Sequence, residues 1–475
     1  MLLEALLGEA AGSHSQKRVT GFAIDNRKVA DGSVFGAFQG AAHNGEDYIP
    51  AAIAAGAIAV VARPEAKVEG ALHIADANPR RAFAQLAAKY YQPFPAKVAA
   101  VTGTNGKTST AELSRQLWRI AGHNAASIGT LGVTTADEQV RTGLTTPDIV
   151  TFLSNLSGLE REGVDRAIFE ASSHGLDQYR TAGVPLAVAA FTNLSRDHLD
   201  YHGSMEGYFE AKMTLFGDYA NADTTAVVWA DDEWSNRVIE RVKSRDLRLI
   251  TVGTKGTGIR LISRQPTQLG QDLQVEMQGE SYAIKLPLIG AYQASNALTA
   301  AGIVIASGEK PSHVARSLTM LQPVRGRLER ACITRSGAPV YVDYAHTPDG
   351  LDAALAALRP HCQGRLILVF GAGGDRDTGK RPEMGAIAEA KADIAIVTDD
   401  NPRSEDPDAI RAAILAAAPH ALDIGDRRSA IAKAIELAEA ADVVVIAGKG
   451  HEQGQIVGDR VLPFDDVEVA RECAA

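Results

Sequence analysis

The chain is poor in cysteine, has no long apolar run and carries no excess of positive charge. Its three cysteines, Cys332, Cys362 and Cys473, are odd in number and form no C-x-x-C pair. That fits a reducing compartment and argues against both a zinc site and a disulfide framework. The longest apolar run, residues 51–62, has only twelve residues, too few to cross a bilayer. Residues 1–11 form a short amphipathic run with two glutamates and no basic segment, so a signal peptide is not expected and a cytoplasmic protein is. A formal net charge of -10 speaks against nucleic acid or an anionic membrane as the main partner, so any phosphate binding must be local. Hydrophobic content of 45% and charged content of 22% are those of an ordinary globule. A length of 475 residues exceeds what one core usually serves and sets an expectation of roughly two to four domains.

The densest local chemistry lies in Val101-Thr-Gly-Thr-Asn-Gly-Lys-Thr-Ser109, which follows an apolar run (Val98 to Val101) and opens a helical pattern (Ala111 to Ala121). A strand, a glycine-rich turn and a helix N-terminus make a phosphate cradle. Backbone N–H groups of Gly103, Thr104, Asn105, Gly106 and Ser109 and the helix dipole attract the anion, Lys107 supplies a point charge, and Thr108 can ligand Mg²⁺. The general P-loop pattern wants glycine five residues before Gly106, where this chain has Val101, so the shorter form needs support from other residues.

Up to about Pro95 the pattern is a small α/β unit, with strands expected at Gly21 to Ile24, Ser33 to Ala37, Ala57 to Val61 and Ala71 to Ile74 and helices at Tyr48 to Ala55 and Pro79 to Tyr91. Tyr91-Gln-Pro-Phe-Pro95 reads as a linker. The polar cluster around Asp25-Asn26-Arg27 is open between turn chemistry and a ligand site. Farther on, Glu170 and His198 each follow a buried-strand pattern, placing them at strand ends that can face the phosphate loop. With Thr108 they form a plausible scattered Mg²⁺ set, His198 being the least usual donor for so hard an ion.

Seven stretches in order resemble the Mur ligase family, which joins amino acids to a UDP-linked muramic acid in peptidoglycan synthesis: Thr102-Gly-Thr-Asn-Gly-Lys-Thr-Ser109, Glu170-Ala-Ser-Ser-His174, Thr192-Asn-Leu-Ser-Arg-Asp-His198, Gly290-Ala-Tyr-Gln-Ala-Ser-Asn296, Gly326-Arg-Leu-Glu329, Val342-Asp-Tyr-Ala-His-Thr-Pro348 and Gly371-Ala-Gly-Gly-Asp-Arg-Asp377. The resemblance implies an α/β chain of three domains: an N-terminal uridine-binding domain (1–95), a central P-loop-type ATPase domain (96–322) and a C-terminal Rossmann-like domain (323–475) that closes over the nucleotide and brings the amino acid. Strand patterns at Arg365 to Gly371, Ile394 to Thr398 and Val443 to Ala447, alternating with helical ones at Arg381 to Ala390 and Ala409 to Ala418, agree independently with the last.

The resemblance also implies ATP and Mg²⁺ as cofactors, an acyl-phosphate route to an amide bond, and UDP-N-acetylmuramoyl-L-Ala-D-Glu as the substrate whose carboxylate is activated; a monomer is expected. By the same resemblance Lys212 is the lysine carried as a carbamate, an added anionic metal ligand; from local pattern alone it reads as a solvated helix lysine. Asn296 and Arg327 look like adenine and phosphate contacts, Asp343 like a ribose-side residue, and Asn26, Thr145, Thr146, Ser172 and Arg180 like contacts of the UDP-sugar peptide.

The added amino acid is read from Asp400-Asn401-Pro402-Arg403, which is similar to the signature of family members that add meso-diaminopimelate. The chemistry agrees: the planar fork of Arg403 can grip the second carboxylate that lysine lacks. Arg376, Gly448 and Glu452 complete the cage implied by the resemblance, Glu452 facing an ammonium. Asn26, Pro147 and Gln293 depart from the residues common in relatives, touching the finer uridine and sugar-peptide contacts. A folylpolyglutamate synthase shares the nucleotide loop but is not expected to carry the N-terminal domain or the Asp-Asn-Pro-Arg loop. A non-catalytic scaffold is expected to have lost some of Lys107, Glu170, His198 and Lys212, and all four are present.

Overall fold

Side-chain alternation builds the N-terminal sheet. In the strand Ala57–Ala62, Ala59 and Val61 face one apolar cluster while Val60 and Ala62 face another, the period-two signature of a strand buried on both faces. It pairs in parallel with Ser33–Gly36 and Leu72–Ala75, and Ser33–Gly36 with Gly21–Ala23. The helix Pro79–Tyr91, started by Asn78 as N-cap and a proline in its first turn, buries Phe83, Ala84, Ala87 and Ala88. The bounds agree with the sequence pattern to within a residue or so, except that Tyr48 closes a 3-10 turn, Gly45–Tyr48, ahead of the helix Ile49–Ala54.

The structure, a computed structural model, describes residues 1–40, 43–140, 145–267, 269–375 and 377–475. These form two compact units, Met1–Arg260 with Leu298–Val314, and Leu261–Ala297 with Ala315–Ala475. Arg376 lies outside the described residues.

In the first unit, the strand Lys97–Thr102 is central. It is flanked in parallel by Val188–Phe191 on one side and Arg166–Glu170 on the other. Beyond these lie Thr225–Trp229 and Arg248–Gly253 on the first side and Ala125–Gly129 on the second. The two strands that end in the candidate loops are therefore the immediate neighbours of the phosphate-loop strand. Ligands of open parallel sheets bind outside the carboxyl ends of such strands.

In the second unit a six-stranded sheet runs Glu329–Ile333, Pro339–Asp343, Val443–Ala447, Leu366–Phe370, Ile394–Val397, Leu422–Asp423. All its pairings are parallel except the first. Apolar clusters cover both faces, one built with the helices Pro348–Leu358, Lys380–Lys391 and Pro407–Leu415 and the other with Arg427–Leu437 and Asp466–Ala474. The antiparallel edge was not expected from the βα alternation, nor were the hairpins Gly270–Met277 with Glu280–Leu286 and Gly454–Val457 with Arg460–Pro463. Among the described residues no helix is long and apolar enough to cross a membrane.

Candidate active site

The phosphate loop is held by the neighbouring strand end. Asn193 accepts from Thr104 N at its carbonyl and from Asn105 N at Oδ1, both at 2.9 Å, and Thr192 Oγ1 donates to Asn105 O at 2.6 Å. Gly103, at φ +150°, passes so near that an added Cβ would lie 1.9 Å from Thr192 Oγ1, so no other residue fits there. The helix Lys107–Ile120 starts at left-handed Gly106 with no side-chain cap, leaving its first N–H groups and dipole turned to the loop. Lys107 Nζ donates to Gly103 O at 3.0 Å and Thr104 O at 2.8 Å. Thr192 and Asn193 are the loop support that the shortened motif calls for; they were quoted in the sequence without a role.

Lys212 overturns its local reading. It is 1% exposed, on the helix Met205–Gly217, and its Nζ donates to the same Gly103 carbonyl at 2.7 Å. The ammonium also stands 4.3 Å from the centre of the Tyr208 ring. Burial first, and the nearby Lys107 charge second, push its pKa well below that of an ordinary lysine. The Tyr208 hydroxyl meets Thr104 Oγ1 at 3.2 Å, and burial pushes its pKa up to about 12. His198, at φ 52° before the helix Leu199–His202, lies 6.1 Å ring to ring from Tyr208 and 4.8 Å from His174. It reaches the loop at second hand, through Tyr208.

Glu170 is the meeting point of the first unit. Its Oε2 accepts from Thr108 Oγ1 at 3.0 Å and from Thr130 Oγ1 at 3.3 Å, and its Oε1 from Thr130 N at 2.7 Å. Thr130 Oγ1 contacts Thr145 Oγ1 at 3.1 Å. Thr146 Oγ1 donates to Glu170 O at 2.8 Å and lies 2.9 Å from Ser172 Oγ, while Arg180 Nη1 donates to Thr146 O at 3.2 Å. Thr108, Thr145, Thr146, Ser172 and Arg180 are thus brought into one hydrogen-bonded chain around Glu170. Asn26 opens a 3-10 turn, Asn26–Lys28, capped by Asp25, whose carboxylate pairs with exposed Arg27.

In the second unit Asn296 Nδ2 donates to Gln293 Oε1 at 3.2 Å and Gln293 Nε2 to Arg327 O at 2.9 Å, so Gln293 links the two residues. Asp343 spends both oxygens on backbone N–H groups, of Leu328 at 2.7 Å and Ala345 at 2.9 Å. Burial raises its pKa against the nearby Arg327 charge.

The loops that begin at residues 371, 398 and 448 leave the carboxyl ends of three adjacent parallel strands. Arg403 sits at φ 52°, a region costly for a side chain. Its backbone bridges to the hairpin through Arg403 N to Ile456 O (3.1 Å) and Gly458 N to Arg403 O (2.8 Å), while Nη1 donates to Gly374 O at 2.7 Å. Asn401 Nδ2 donates to Glu452 Oε2 at 2.9 Å. Gly448, at φ +119°, admits the Asp400 carboxylate, which an added Cβ would meet at 2.3 Å. Lys449, wholly buried between Asn401, Asp400 and Glu452, is not among the residues singled out in the sequence, although Gly448 and Glu452 on either side of it are.

A strand–loop–helix phosphate cradle on a parallel sheet, joined to a second unit of Rossmann type, defines a nucleotide-binding α/β protein of the P-loop class. The chain matches the Mur ligase family catalytic domain over residues 18–92, the Mur ligase middle domain over 101–304 and the Mur ligase glutamate ligase domain over 326–450. It is 61% identical over 458 residues to the UDP-N-acetylmuramoyl-L-alanyl-D-glutamate–2,6-diaminopimelate ligase of Zymomonas mobilis, covering 96% of this chain and 94% of that one. The protein of the same name from Caulobacter vibrioides is 51% identical, with 94% of each chain covered. A solved structure of a ligase of that name superposes with a TM-score of 0.78 at 32% identity, over 100% of this chain and 98% of its own. A folylpolyglutamate synthase of Mycobacterium tuberculosis complexed with ADP shares the fold at a TM-score of 0.62 and 22% identity, over 78% and 91%. The chain belongs to the Mur ligase family, and has its three-domain α/β architecture.

Proposed function

We infer that this chain is an ATP-dependent ligase that adds meso-diaminopimelate to UDP-N-acetylmuramoyl-L-Ala-D-Glu in peptidoglycan precursor synthesis. The observation that supports this best is the double role of Glu170, hydrogen-bonded both to Thr108 of the phosphate loop and, through Thr130, to Thr145 of the threonine–arginine cradle. Formation of an acyl phosphate needs that juxtaposition. The substrate carboxylate oxygen bonds to the γ-phosphorus as ADP leaves. The amine of the amino acid then bonds to the acyl carbon, loses a proton, and phosphate departs from the tetrahedral intermediate.

In this reading Gly103, Thr104, Asn105, Gly106, Lys107, Thr108 and Ser109 cradle the nucleotide phosphates, with Asn296 and Arg327 as adenine and phosphate contacts and Asp343 on the ribose side. Asn26 serves the uridine part, and Thr145, Thr146, Ser172 and Arg180 hold the sugar peptide, Arg180 by its fork. Arg376, Asp400, Asn401, Pro402, Arg403, Gly448 and Glu452 receive diaminopimelate. Most of the rate enhancement comes from positioning and from cations placed where anionic charge gathers.

Magnesium fits the donors at the loop. The Thr108 hydroxyl and Glu170 carboxylate are hard oxygens 3.0 Å apart, and this ion takes one or two protein ligands beside phosphates. His198 would add a nitrogen. Lys212 as an ammonium has no lone pair to give, and joins the set only as a carbamate; its depressed pKa favours the neutral amine that carbon dioxide requires. When bound, the ion neutralises phosphate charge. Domain limits at 95/96 and 322/323, a cytoplasmic monomer and independence from nucleic acid belong to the same proposal.

The test is phosphate release with ATP, Mg²⁺ and UDP-N-acetylmuramoyl-L-Ala-D-Glu, comparing meso-diaminopimelate with L-lysine. Release with diaminopimelate alone is expected. Release with lysine instead would keep the ligase and discard the amino-acid assignment, and release with folate and glutamate would replace it by the synthase reading. The carbamate has its own check: Lys212→Glu, which keeps an anion, should retain at least about tenfold more activity than Lys212→Ala. Equal losses would remove the carbamate.

A further inference from the structure

Lys449 is a buried cation that the reaction as described does not use. It directly follows Gly448 after the strand Val443–Ala447 and is 0% exposed. Its Nζ donates to Asn401 Oδ1 at 2.7 Å and to Gly454 O at 2.8 Å, and lies 3.8 Å from Asp400 Oδ1 and 3.9 Å from Glu452 Oε2. Asn401 Oδ1 also accepts from Ile456 N at 2.9 Å. An amide oxygen has two lone pairs, so these two donors occupy it and fix which way the amide faces. The Asn401 nitrogen is left to donate, and it does so to Glu452 Oε2 at 2.9 Å. The neighbouring Arg427 cannot replace Lys449, because it spends its guanidinium on Asp466, at 2.8 and 2.7 Å, and on Ala447 O at 3.0 Å.

The same lysine ties the loop to the hairpin. Gly454, whose carbonyl it holds, opens the strand Gly454–Val457. That strand meets the loop again through Gln455 Nε2 to Asp400 O at 2.8 Å and Arg403 N to Ile456 O at 3.1 Å. One ammonium therefore stands at the buried end of the contacts that hold both Arg403 and Glu452.

We propose that Lys449 is a positioning residue for the incoming amino acid, locking the Asn401 amide so that the Glu452 carboxylate is presented to an ammonium and the Arg403 backbone is kept on the hairpin. This rests on reading the Asp-Asn-Pro-Arg loop as the diaminopimelate site. It acts through Asn401 and Glu452 and touches no reacting atom. Its loss should weaken amino-acid binding while sparing the chemical step.

The experiment is steady-state phosphate release by wild type, Lys449→Met and Lys449→Gln, with each substrate varied in turn and folding followed by circular dichroism. For Lys449→Met the KM for meso-diaminopimelate should rise about tenfold or more, as expected when a charged hydrogen-bond donor is removed from buried acceptors. The KM values for ATP and the UDP-sugar peptide should stay within about twofold and kcat at saturating diaminopimelate within about threefold. Lys449→Gln, which can still donate to Asn401 Oδ1, should recover part of the loss. An unchanged KM for diaminopimelate, or an equal rise in all three constants, overturns the proposal. If the Met variant does not fold, the Gln variant is judged by the same criteria, and failure of both to fold makes the role structural and rejects positioning. A wild type that releases no phosphate with diaminopimelate overturns the site reading and this role with it; an active wild type with indifferent variants overturns the role alone.

Discussion

Lys107→Ala is expected to lower kcat by roughly a thousandfold or more, the scale on which cations serving a transferring phosphoryl group act. The variant should fold. Lys107 Nζ donates to two backbone carbonyls of the loop, Gly103 O and Thr104 O. The loop keeps its supports from Thr192 and Asn193. Removing the ammonium also relieves the repulsion that Lys107 exerts on Lys212, so no loss of stability is expected from that quarter. The measurement is phosphate release at saturating substrates beside a thermal melt, and near-normal turnover would sink the assignment of the phosphate loop. The two lysines sharing the Gly103 carbonyl sharpen the prediction. Lys107→Ala leaves Lys212 in place, so activity that is lost cannot be blamed on a missing metal-side residue.

What was legible in the sequence was whatever depends on neighbours along the chain. The phosphate loop could be read because strand, glycine turn and helix start are consecutive, and the helix Pro79–Tyr91 because its cap, proline and apolar spacing are local. Lys212 could not be read locally. Its helix buries Tyr208, Phe209, Ala211, Lys212, Met213, Leu215 and Phe216 on one side and exposes Glu206 and Glu210 on the other, so Lys212 falls among the apolar positions, where a lysine stem that covers apolar surface with its head in water has the same pattern as a buried one. Asn193 fared likewise: an asparagine after a strand ordinarily closes its own turn, and only the parallel pairing of Val188–Phe191 with Lys97–Thr102 brings it to the loop. The hairpin Gly454–Val457 with Arg460–Pro463 is mostly exposed, giving little apolar alternation to detect. Lys449 was hidden with it, since its partners Gly454 and Asn401 become neighbours only once that hairpin lies on the loop. The proposed role of Lys212 comes from family resemblance and not from spacing.

Arg403→Ala is expected to raise the KM for meso-diaminopimelate about a hundredfold and to shrink its advantage over L-lysine by a similar factor. Two charge-assisted hydrogen bonds at about 1.5 kcal/mol each correspond to roughly that change. The intact site can discriminate by ~10⁴ or more, because an unpaired guanidinium is left behind when lysine binds. The structure prepares the group for this. Nη1 is anchored on Gly374 O at 2.7 Å, and the backbone is pinned on both sides by Ile456 O and Gly458 N in a left-handed conformation, φ 52°. Alanine has a Cβ as arginine does, so the loop's conformational cost is unchanged and the loss reports on the side chain. Arg403→Lys keeps the charge without the fork and should fall between the two. The decisive quantity is the ratio of kcat/KM for diaminopimelate to that for lysine. A ratio unchanged in Arg403→Ala would remove this arginine from specificity and move the search for the second carboxylate's partner to Arg376.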